Sequence, residues 1–376
     1  MRIAIDYTPA VTQSAGIGRY TRNLVQALAD MDTSDAFTLF SSEALRDAIA
    51  VPQRQNVRTR VVNVGNRRMT ILWQRARVPL PAELLMGFTD VLHGPDFILP
   101  PTLRARRVVT IHDLAFLTHP ECALPTLAKY LGRVVPRAVH AADHVIAVSQ
   151  RTATDLSELL NVPPDKITTI HLGIDPAFHA PRDVTAIRTM LVKYSLRQPF
   201  VLAVGTIEPR KNYQTLIRAF AEARYLADGP RMLVIAGRKG WMYDGVFEEA
   251  KRQNLGDAIR FLDYVSDSDL VALHHAAGVL AMPSLYEGFG IPVAEAMASG
   301  TPVVCSTAGS LPEIAGDAAI TVPPTDTGAL RDALIRAIRD HDTRQSLIAK
   351  GLERAQAFNW TAAAQAHLAV YHKVAR

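Results

Sequence analysis

The chain has 376 residues, of which 48% are hydrophobic and 20% charged, and its formal net charge is +5. This length exceeds what a single hydrophobic core usually supports, so we expect two domains, and the composition excludes a disordered scaffold. The small net charge requires no nucleic-acid partner, and two cysteines, Cys122 and Cys305, exclude a disulfide framework and a cysteine-rich zinc site.

The apolar segments predict where the protein is located. The sequence begins MRIAID, without the basic and apolar regions of a signal peptide. No window approaches about 18 uninterrupted apolar residues, so no membrane-spanning helix is predicted. We therefore expect a cytoplasmic protein.

Short β-branched segments alternate with helical segments in the first half of the chain. Strands are predicted at 2–6, 91–93, 107–111, 144–148 and 167–170, and helices at 18–30 and 150–160. Ser149 is the predicted N-cap of the second helix. This alternation is typical of a parallel sheet covered by helices on both faces.

A linker at 171–182, HLGIDPAFHAPR, separates this half from a second series of strands and helices. Strands are predicted at 200–204, 231–236, 259–262, 278–282 and 302–305, and helices at 213–227, 267–275, 292–299 and 327–339. We expect two α/β halves with a ligand in the cleft between them, because doubly wound sheets bind ligands beyond the carboxyl ends of their strands.

The most informative segment is PSLYEGFGIPVAEAMASGTP, which follows a predicted strand. Glu287 stands before a Gly-Phe-Gly turn, and Glu295 lies eight positions later in the next helix. Glycines between strand and helix let a ligand approach the backbone, and helix-start amides attract anions. The two carboxylates therefore suit sugar hydroxyls beside a phosphate. Alternatively, they only stabilise the helix start, where acidic residues are favoured.

A second segment, VGTIEPRKN, places Arg210 and Lys211 after another predicted strand. A planar guanidinium and a compact ammonium suit a leaving diphosphate. A solvated loop at the end of the strand is the alternative.

Two weaker candidates follow strands of the first half. Gly16 and Gly18 could bring backbone amides to a phosphate, but Thr21 interrupts the G-x-G-x-x-G pattern, and a tight turn explains the glycines equally well. His112 follows the strand RVVTI and could donate to a substrate or shuttle a proton, or be structural.

No metal site is predicted. Asp267 and Asp269 form a D-x-D pair, but Ser266 before them indicates helix capping. His274 and His275 have no acidic or cysteine partner at ligand spacing.

Together these segments resemble glycosyltransferase family 4, whose members are retaining enzymes with the GT-B fold. The resemblance covers GIGRY, IHDLAFLTHPE, HLGID, VGTIEPRKN, FLDYVSDSDL and PSLYEGFGIPVAEAMASGTPVV, with an E-x7-E motif at Glu287 and Glu295. It implies two Rossmann-like, doubly wound domains facing each other across a cleft. Residues 1–178 would form the acceptor domain, with a C-terminal helix at 360–376 packing back on it, and residues 179–359 would bind the nucleotide sugar.

The resemblance also implies a role for each candidate residue. Arg210 and Lys211 would bind the diphosphate and stabilise its departure, Glu287 and the following amides would contact the donor sugar, and Glu295 would hold the ribose hydroxyls. His112 would contact the donor sugar near the reacting carbon. The full nucleotide-sugar set is Gly16, Gly18, Arg210, Lys211, Glu287, Gly288, Phe289, Gly290, Ile291 and Glu295. Because cations and amides can stabilise the leaving group, no metal cofactor is expected.

The motif wording is closest to bacterial mannosyltransferases of polysaccharide assembly. It implies transfer of a hexose from a nucleotide sugar to a glycan or lipid-linked glycan in cell-surface polysaccharide synthesis. The first choice of donor is GDP-mannose. One alternative is transfer of glucose or a deoxysugar from a UDP- or dTDP-sugar. The other is a non-catalytic GT-B subunit that binds a nucleotide sugar. A phosphorylase would require a pyridoxal-phosphate lysine, and a dehydrogenase would require the complete glycine fingerprint.

The predicted acceptor half contains a local excess of arginine. Between Arg54 and Arg107 lie ten basic residues and three acidic ones, with Leu72 and Trp73 among them. The basic residues are Arg54, Arg58, Arg60, Arg67, Arg68, Arg75, Arg77, Arg104, Arg106 and Arg107. This stretch predicts a surface for anionic lipid or a lipid-diphosphate-linked acceptor, with peripheral binding to the cytoplasmic membrane face. An ordinary solvated surface is the alternative.

Overall fold

The computed structural model describes residues 1–13, 16–45, 51–226 and 229–376, and it divides the chain into two compact units. Unit 1 comprises Met1–Leu117, Thr126–Gly173 and Asn359–Arg376, and unit 2 comprises Thr118–Pro125 and Ile174–Phe358. Ser14 and Ala15 of the first glycine loop, and Ala227 at the end of a predicted helix, lie outside the described residues.

Unit 1 is built on a parallel sheet that has seven strands within the described residues. These are β1 (Arg2–Asp6), β2 (Ala36–Ser41), β3 (Val57–Val61), β4 (Val91–Gly94), β5 (Arg106–Ile111), β6 (His144–Ala147) and β7 (Ile167–Thr169). Their order is β3-β2-β1-β4-β5-β6-β7, and every neighbouring pair is parallel. The strand order reverses between β1 and β4, so the loops after these two strands meet at a switch point.

Helices connect the strands of unit 1. They are α1 (Thr8–Thr12), α2 (Ile17–Ala29), α3 (Asn66–Thr70), α4 (Glu83–Met86), α5 (Ala115–Thr118), α6 (Pro125–Ala141), α7 (Gln150–Leu160) and, from the chain end, α16 (Trp360–Ala375). A π-helical turn, Ile71–Arg75, continues α3, and a 3-10 turn covers Pro164–Lys166. Ser149 caps α7 as predicted, because its Oγ accepts from Thr152 N at 3.1 Å.

A buried hydrogen-bond network attaches α16 to the core of unit 1. His367 Nδ1 is 2.7 Å from Ala363 O, and because a carbonyl only accepts, Nδ1 carries the proton. Burial lowers the pKa of His367 to about 4, so the ring is neutral and its Nε2 accepts from Tyr20 Oη of α2 at 2.9 Å. Tyr20 Oη also lies 3.0 Å from Thr110 Oγ1 of β5. The last helix therefore completes unit 1.

Unit 2 contains a second parallel sheet, with six strands within the described residues. These are β8 (Val201–Val204), β9 (Leu233–Ala236), β10 (Ile259–Phe261), β11 (Val279–Met282), β12 (Val303–Ser306) and β13 (Ala319–Val322), in the order β10-β9-β8-β11-β12-β13. All neighbours are parallel. The order reverses between β8 and β11, which makes the loops after these strands neighbours.

The helices of unit 2 lie between these strands and after them. They are α8 (Val184–Tyr194), α9 (Tyr213–Arg224), α10 (Asp244–Arg252), α11 (Asp267–Ala276), α12 (Ile291–Ala298), α13 (Leu311–Ala315), α14 (Thr327–Arg339) and α15 (His341–Ala355). Short 3-10 turns cover Pro120–Cys122, Pro176–His179, Pro209–Lys211 and Gly256–Ala258. Fully buried side chains of β8, β9, β11 and α9 form the core, including Val201, Ile235, Val279, Leu216 and Phe220.

The structure contains three strands that the sequence analysis did not predict: β2, β3 and β13. β3 is an edge strand with the sequence VRTRV, and four of its five residues are exposed, so it has little of the apolar signal of a buried strand. β13 is an edge strand of the sheet in unit 2, and Val322 is its only buried residue. β2, AFTLFS, is mostly buried, and its apolar run between Asp35 and Ser42 is a signal that could have identified it.

Two short segments placed in the predicted acceptor domain belong to unit 2. Residues 174–178 belong to unit 2, where Phe178 is buried with its ring 5.3 Å from that of His274. Ser299 Oγ also lies 3.4 Å from Phe178 O. Thr118–Pro125 leaves unit 1 in the middle of its sequence and contacts the candidate site described next.

Candidate nucleotide-sugar site

The topology of unit 2 brings together the two segments that the sequence analysis singled out. One follows β8 and the other follows β11, which are adjacent strands at the switch point. Asn212, in the left-handed conformation at φ 55°, donates from Nδ2 to Pro283 O at 3.0 Å. Leu285 N donates to Arg210 O at 2.8 Å. These hydrogen bonds join the two loops.

A compact ion cluster occupies the junction of the loops, formed by Glu208, Arg210, Lys211 and Glu287. Lys211 Nζ is 2.7 Å from Glu287 Oε1, and Arg210 Nη1 is 2.9 Å from Glu287 Oε2. Arg210 Nη2 is 2.6 Å from Glu208 Oε1. Glu208 and Glu287 are buried, and residue Lys211 is 9% exposed. Residues 76 positions apart therefore meet in one buried cluster.

The cluster holds Glu287 in its ionised form. Burial alone would raise the pKa of Glu287, but the positive charges of Arg210 and Lys211 outweigh this effect and lower the pKa to about 2. A carboxylate with this pKa accepts hydrogen bonds and stabilises positive charge, but it has no proton to give at neutral pH. Glu287 is therefore suited to bind sugar hydroxyls rather than to act as a general acid.

The loop after β12 supports Glu287 from behind, and the sequence analysis missed it. Ser310 donates to Glu287 O from both its N, at 2.9 Å, and its Oγ, at 3.1 Å. Gly309 has φ +61°, and a Cβ there would overlap the backbone of Glu287. Because β12 is the neighbour of β11 in the sheet, the segment STAGS after it could have been identified from the predicted strand order.

The turn after Glu287 is buried, and Gly290 ends it at φ +96°. Phe289 packs its ring against Phe358, with centroids 5.6 Å apart, so only its backbone can serve a ligand. At the start of α12, Pro292 has no N–H and Val293 N donates to Gly290 O at 2.9 Å. Ile291 is thus the remaining backbone donor among the first three residues of this helix.

Glu295 lies apart from the ion cluster, on the buried side of α12. It is 1% exposed, and its Oε2 is 3.7 Å from Nε2 of His274 in α11. The histidine pair of α11 therefore has an acidic neighbour that spacing along the sequence did not reveal. Binding of ribose hydroxyls by Glu295 stays a prediction.

The segment Thr118–Pro125 packs beside the ion cluster, a placement the sequence analysis did not predict. Trp241 Nε1 donates to Cys122 O at 2.8 Å, and the ring of His119 lies 5.5 Å from that of Tyr286. The carbonyl of Tyr286 in turn accepts from Arg210 Nη1 at 2.8 Å. The IHDLAFLTHPE motif thus supplies residues to the same unit as Arg210 and Lys211.

Two glycines, Gly16 and Gly18, stand at the start of α2 in unit 1. Gly16 has φ +52° and precedes α2, while a Cβ at Gly18 would overlap the Gln13 carbonyl. Gln13 Nε2 donates to Asp96 Oδ2 at 2.7 Å, across the switch point between β1 and β4. The close approach of the Gln13 carbonyl accounts for Gly18 by itself, and phosphate binding by Gly16 and Gly18 stays a prediction.

His112 follows β5, and its hydrogen bond determines which ring nitrogen is protonated. Its Nε2 is 2.7 Å from Pro95 O, and because a carbonyl only accepts, Nε2 carries the proton. Burial lowers the pKa of His112, so the ring is neutral and Nδ1 is an acceptor. The expectation that this histidine donates to a substrate is therefore not supported; its chemistry favours accepting from a hydroxyl.

Asp6 and Asp96 are further polar groups at the switch point of unit 1 that the sequence analysis did not select. Burial and the nearby Asp6 raise the pKa of Asp96 to about 6, and the hydrogen bond from Gln13 opposes this. Burial also raises the pKa of Asp6. Asp6 at the end of β1 and Asp96 in the loop after β4 are thus two neighbouring carboxylates with raised pKa values.

The comparisons with known proteins identify the family. Residues 14–178 match the family described as Glycosyltransferase Family 4, and residues 192–354 match Glycosyl transferases group 1. Over 374 residues the chain is 33% identical to O-antigen chain mannosyltransferase B of Escherichia coli, covering 96% of this chain and 96% of that protein. The chain belongs to glycosyltransferase family 4. It is an enzyme, a glycosyltransferase, as the motif resemblance predicted.

Two further comparisons place this glycosyltransferase within a broad fold group. It is 30% identical over 395 residues to D-inositol 3-phosphate glycosyltransferase of Kribbella flavida, covering 96% of this chain and 92% of that protein. Sucrose-phosphate synthase from Thermosynechococcus elongatus has a similar structure, with a TM-score of 0.80 at 23% identity, covering 99% of this chain and 98% of that one. The predicted GT-B fold is confirmed.

The remaining candidates of this glycosyltransferase have structural roles. Ser266 is the N-cap of α11, because its Oγ accepts from Asp269 N at 3.2 Å. Asp267 and Asp269 lie in the first turn of this helix, and Asp269 pairs with Lys193 at 2.6 Å. Within the described ranges, no three His, Cys, Asp or Glu side chains are grouped as ligands for a metal ion. None of the described helices combines the length and the hydropathy that crossing a membrane needs.

Proposed function

We propose that the enzyme transfers a hexose from a nucleotide sugar, with GDP-mannose as the preferred donor. The acceptor is a glycan or lipid-linked glycan of a cell-surface polysaccharide, and the anomeric configuration is retained. The ion cluster around Glu287 is the observation that supports the chemical part of the proposal, the transfer from a nucleotide sugar. The full-length similarity to an O-antigen chain mannosyltransferase supports mannose as the sugar.

Lys211 and Arg210 are suited to stabilise a leaving nucleoside diphosphate. The Lys211 ammonium has three N–H donors and gives one to Glu287, at 2.7 Å. The Arg210 guanidinium has five and is oriented by Glu208 and the Tyr286 carbonyl. Both side chains are held in place before the donor binds, so the protein does not reorganise as negative charge develops on the leaving oxygen.

The charges of the cluster balance before the donor arrives, with two cations facing two carboxylates. Glu287, ionised at neutral pH, offers acceptor oxygens to donor hydroxyls and opposes the positive charge that builds up on the sugar ring. We propose that these residues suffice without a metal ion and that His112 accepts from a sugar hydroxyl through Nδ1.

A donor screen tests the proposal. The enzyme is incubated with GDP-mannose and with UDP-, ADP- and dTDP-sugars, with and without EDTA, while hydrolysis and melting temperature are followed. We expect GDP-mannose to raise the melting temperature most, turnover to persist in EDTA, and NMR of the transferred sugar to show retention. A UDP- or dTDP-sugar in first place would replace the mannose proposal with its glucose or deoxysugar alternative.

Lys211→Ala tests the role of the cluster with whichever donor is accepted. We expect kcat to fall by about 100-fold or more, the usual effect of removing one charge-stabilising donor. Lys350→Ala is the matched control, because Lys350 is an exposed lysine of unit 2 that pairs with Asp317. Full turnover by the Lys211→Ala enzyme would refute the diphosphate role.

A further inference from the structure

One segment of unit 1 carries positive charge that the described protein does not neutralise. Residues 51–82 contain seven arginines and not a single aspartate or glutamate. Arg54 pairs with Asp30, at 2.6 Å. The other six are exposed and, among the described residues, have no carboxylate within ion-pair distance: Arg58, Arg60, Arg67, Arg68, Arg75 and Arg77.

Two arginines elsewhere in the same unit lie beside aspartates. Arg2 lies 3.1 Å from Asp90, and Arg106 lies 3.1 Å from Asp143. The 51–82 segment differs from these positions because it has no carboxylate of its own.

The helical part of this segment separates a packed side from an exposed side. Met69 is buried in a cluster that Leu72 and Trp73 pack against. Arg67, Ile71 and Arg75, spaced by four residues, form the other side and are exposed. We name this exposed side, with Arg68, Arg77 and Val78, the arginine face.

Exposed apolar side chains lie among these cations. Ile71 is 41% exposed and Val78 is 38% exposed. Leu84 of α4 is 66% exposed, and Leu103, in the loop before β5, is 71% exposed. Large apolar side chains that do not serve the core, interleaved with arginines, are typical of surfaces that insert into the boundary of a bilayer.

Hydrogen bonds link the segment after the helical turn to the loop that contains Leu103. Trp73 Nε1 donates to Leu80 O at 2.9 Å, and Ala82 N donates to Pro101 O at 2.8 Å. Glu83 Oε1 then accepts from the amide of Leu103 at 2.9 Å. The segment that follows the arginine face is therefore hydrogen-bonded to the loop that contains Leu103.

We propose that the arginine face binds the surface of an anionic lipid bilayer, with Ile71 and Val78 entering the headgroup boundary. Guanidinium groups match lipid phosphates in charge and geometry, and apolar side chains gain from an acyl boundary that a soluble polyanion does not offer. This binding is independent of the proposed donor, because none of these residues belongs to the ion cluster of unit 2.

Flotation of the whole chain with vesicles tests the proposal. We expect binding to vesicles of phosphatidylcholine with 30% phosphatidylglycerol and none to phosphatidylcholine alone. The triple variant Arg67→Gln, Arg68→Gln, Arg75→Gln should bind about 100-fold more weakly, at roughly fivefold for each arginine. Equal binding by the triple variant, or no binding by the wild-type chain, would overturn the proposal.

A matched control separates a local surface from net charge. Arg331→Gln, Arg336→Gln, Arg339→Gln removes the same three charges from α14 of unit 2 and should bind within twofold of wild type. An equal loss in this control would show a bulk-charge effect and overturn the arginine face. Unchanged donor hydrolysis and melting temperature show that each variant is folded.

The apolar residues decide between a bilayer and a soluble polyanion. Ile71→Ser with Val78→Ser keeps every charge, and we expect it to weaken vesicle binding at least fivefold while binding to heparin stays unchanged. If this double variant floats like wild type and heparin binds the wild-type chain as tightly as vesicles do, the surface recognises soluble polyanions and the bilayer proposal is wrong.

Discussion

Replacing Glu287 by glutamine tests whether the ion cluster holds an ionised carboxylate inside unit 2. Glutamine keeps the shape of the side chain and removes its charge. The side chain of Glu287 is 8% exposed, so solvent screens its two ion pairs little. The pKa is lowered from its ordinary 4.5 to about 2. At about 1.36 kcal/mol per pKa unit, this corresponds to about 3 kcal/mol of stability.

The sign of the pH dependence follows from the direction of the pKa. Because the folded protein binds the Glu287 proton more weakly than the unfolded chain does, the stabilisation is complete above pH 4.5 and is lost as the pH falls toward 2. The variant lacks this titration. The difference in free energy of unfolding between wild type and Glu287→Gln should therefore be largest near neutral pH and about 1 kcal/mol smaller by pH 3.5.

Urea denaturation of both proteins at pH 7 and pH 3.5 measures this difference. Glu222→Gln is the control, because Glu222 is a carboxylate of unit 2 that pairs with Arg331 at 3.1 Å but is 50% exposed. Its effect should stay within about 0.5 kcal/mol at both pH values. A difference between wild type and Glu287→Gln that does not change with pH would refute an ionised, charge-stabilised Glu287.

Two further substitutions test contacts that the sequence did not reveal. Gly309→Ala should displace Glu287 and lower kcat at least tenfold in a donor turnover assay. Gly328→Ala is the control and should keep its activity, because its Cβ would make an ordinary contact at 3.5 Å. Equal activities of the two variants would contradict this prediction. Tyr20→Phe leaves His367 Nε2 without its donor and should cost about 1–3 kcal/mol in urea unfolding. Tyr225→Phe, at 73% exposed, should cost less than about 0.5 kcal/mol, and a similar loss in both would refute the buried network.

Features encoded by neighbouring residues were predicted correctly from the sequence. The two N-caps formed by Ser149 and Ser266 were identified because a short acceptor side chain bonds an amide three residues later. Buried strands such as β1 and β11 were identified from continuous β-branched and apolar runs. Edge strand β3 was missed because a strand exposed along its length does not need apolar side chains.

The chemistry of the site depended on contacts between distant segments. The types and order of Arg210, Lys211 and Glu287 were readable as motifs, and these motifs indicated the family. Their pairing was not readable, because it depends on β8 and β11 being neighbours in the sheet and on Ser310 holding the Glu287 backbone. The low pKa of Glu287 is a consequence of that pairing and of burial together.

The sequence by itself determined the fold class, the family and the candidate residues, because strand periodicity and motif spacing are local properties. Only the tertiary structure decided which charges are neutralised. It paired the arginine and lysine after β8 with carboxylates and left the six arginines of the 51–82 segment without any among the described residues. In the sequence alone, both sets are simply basic residues. Their electrostatic environment, and hence what each can bind, depends on which carboxylates the fold brings within a few ångströms.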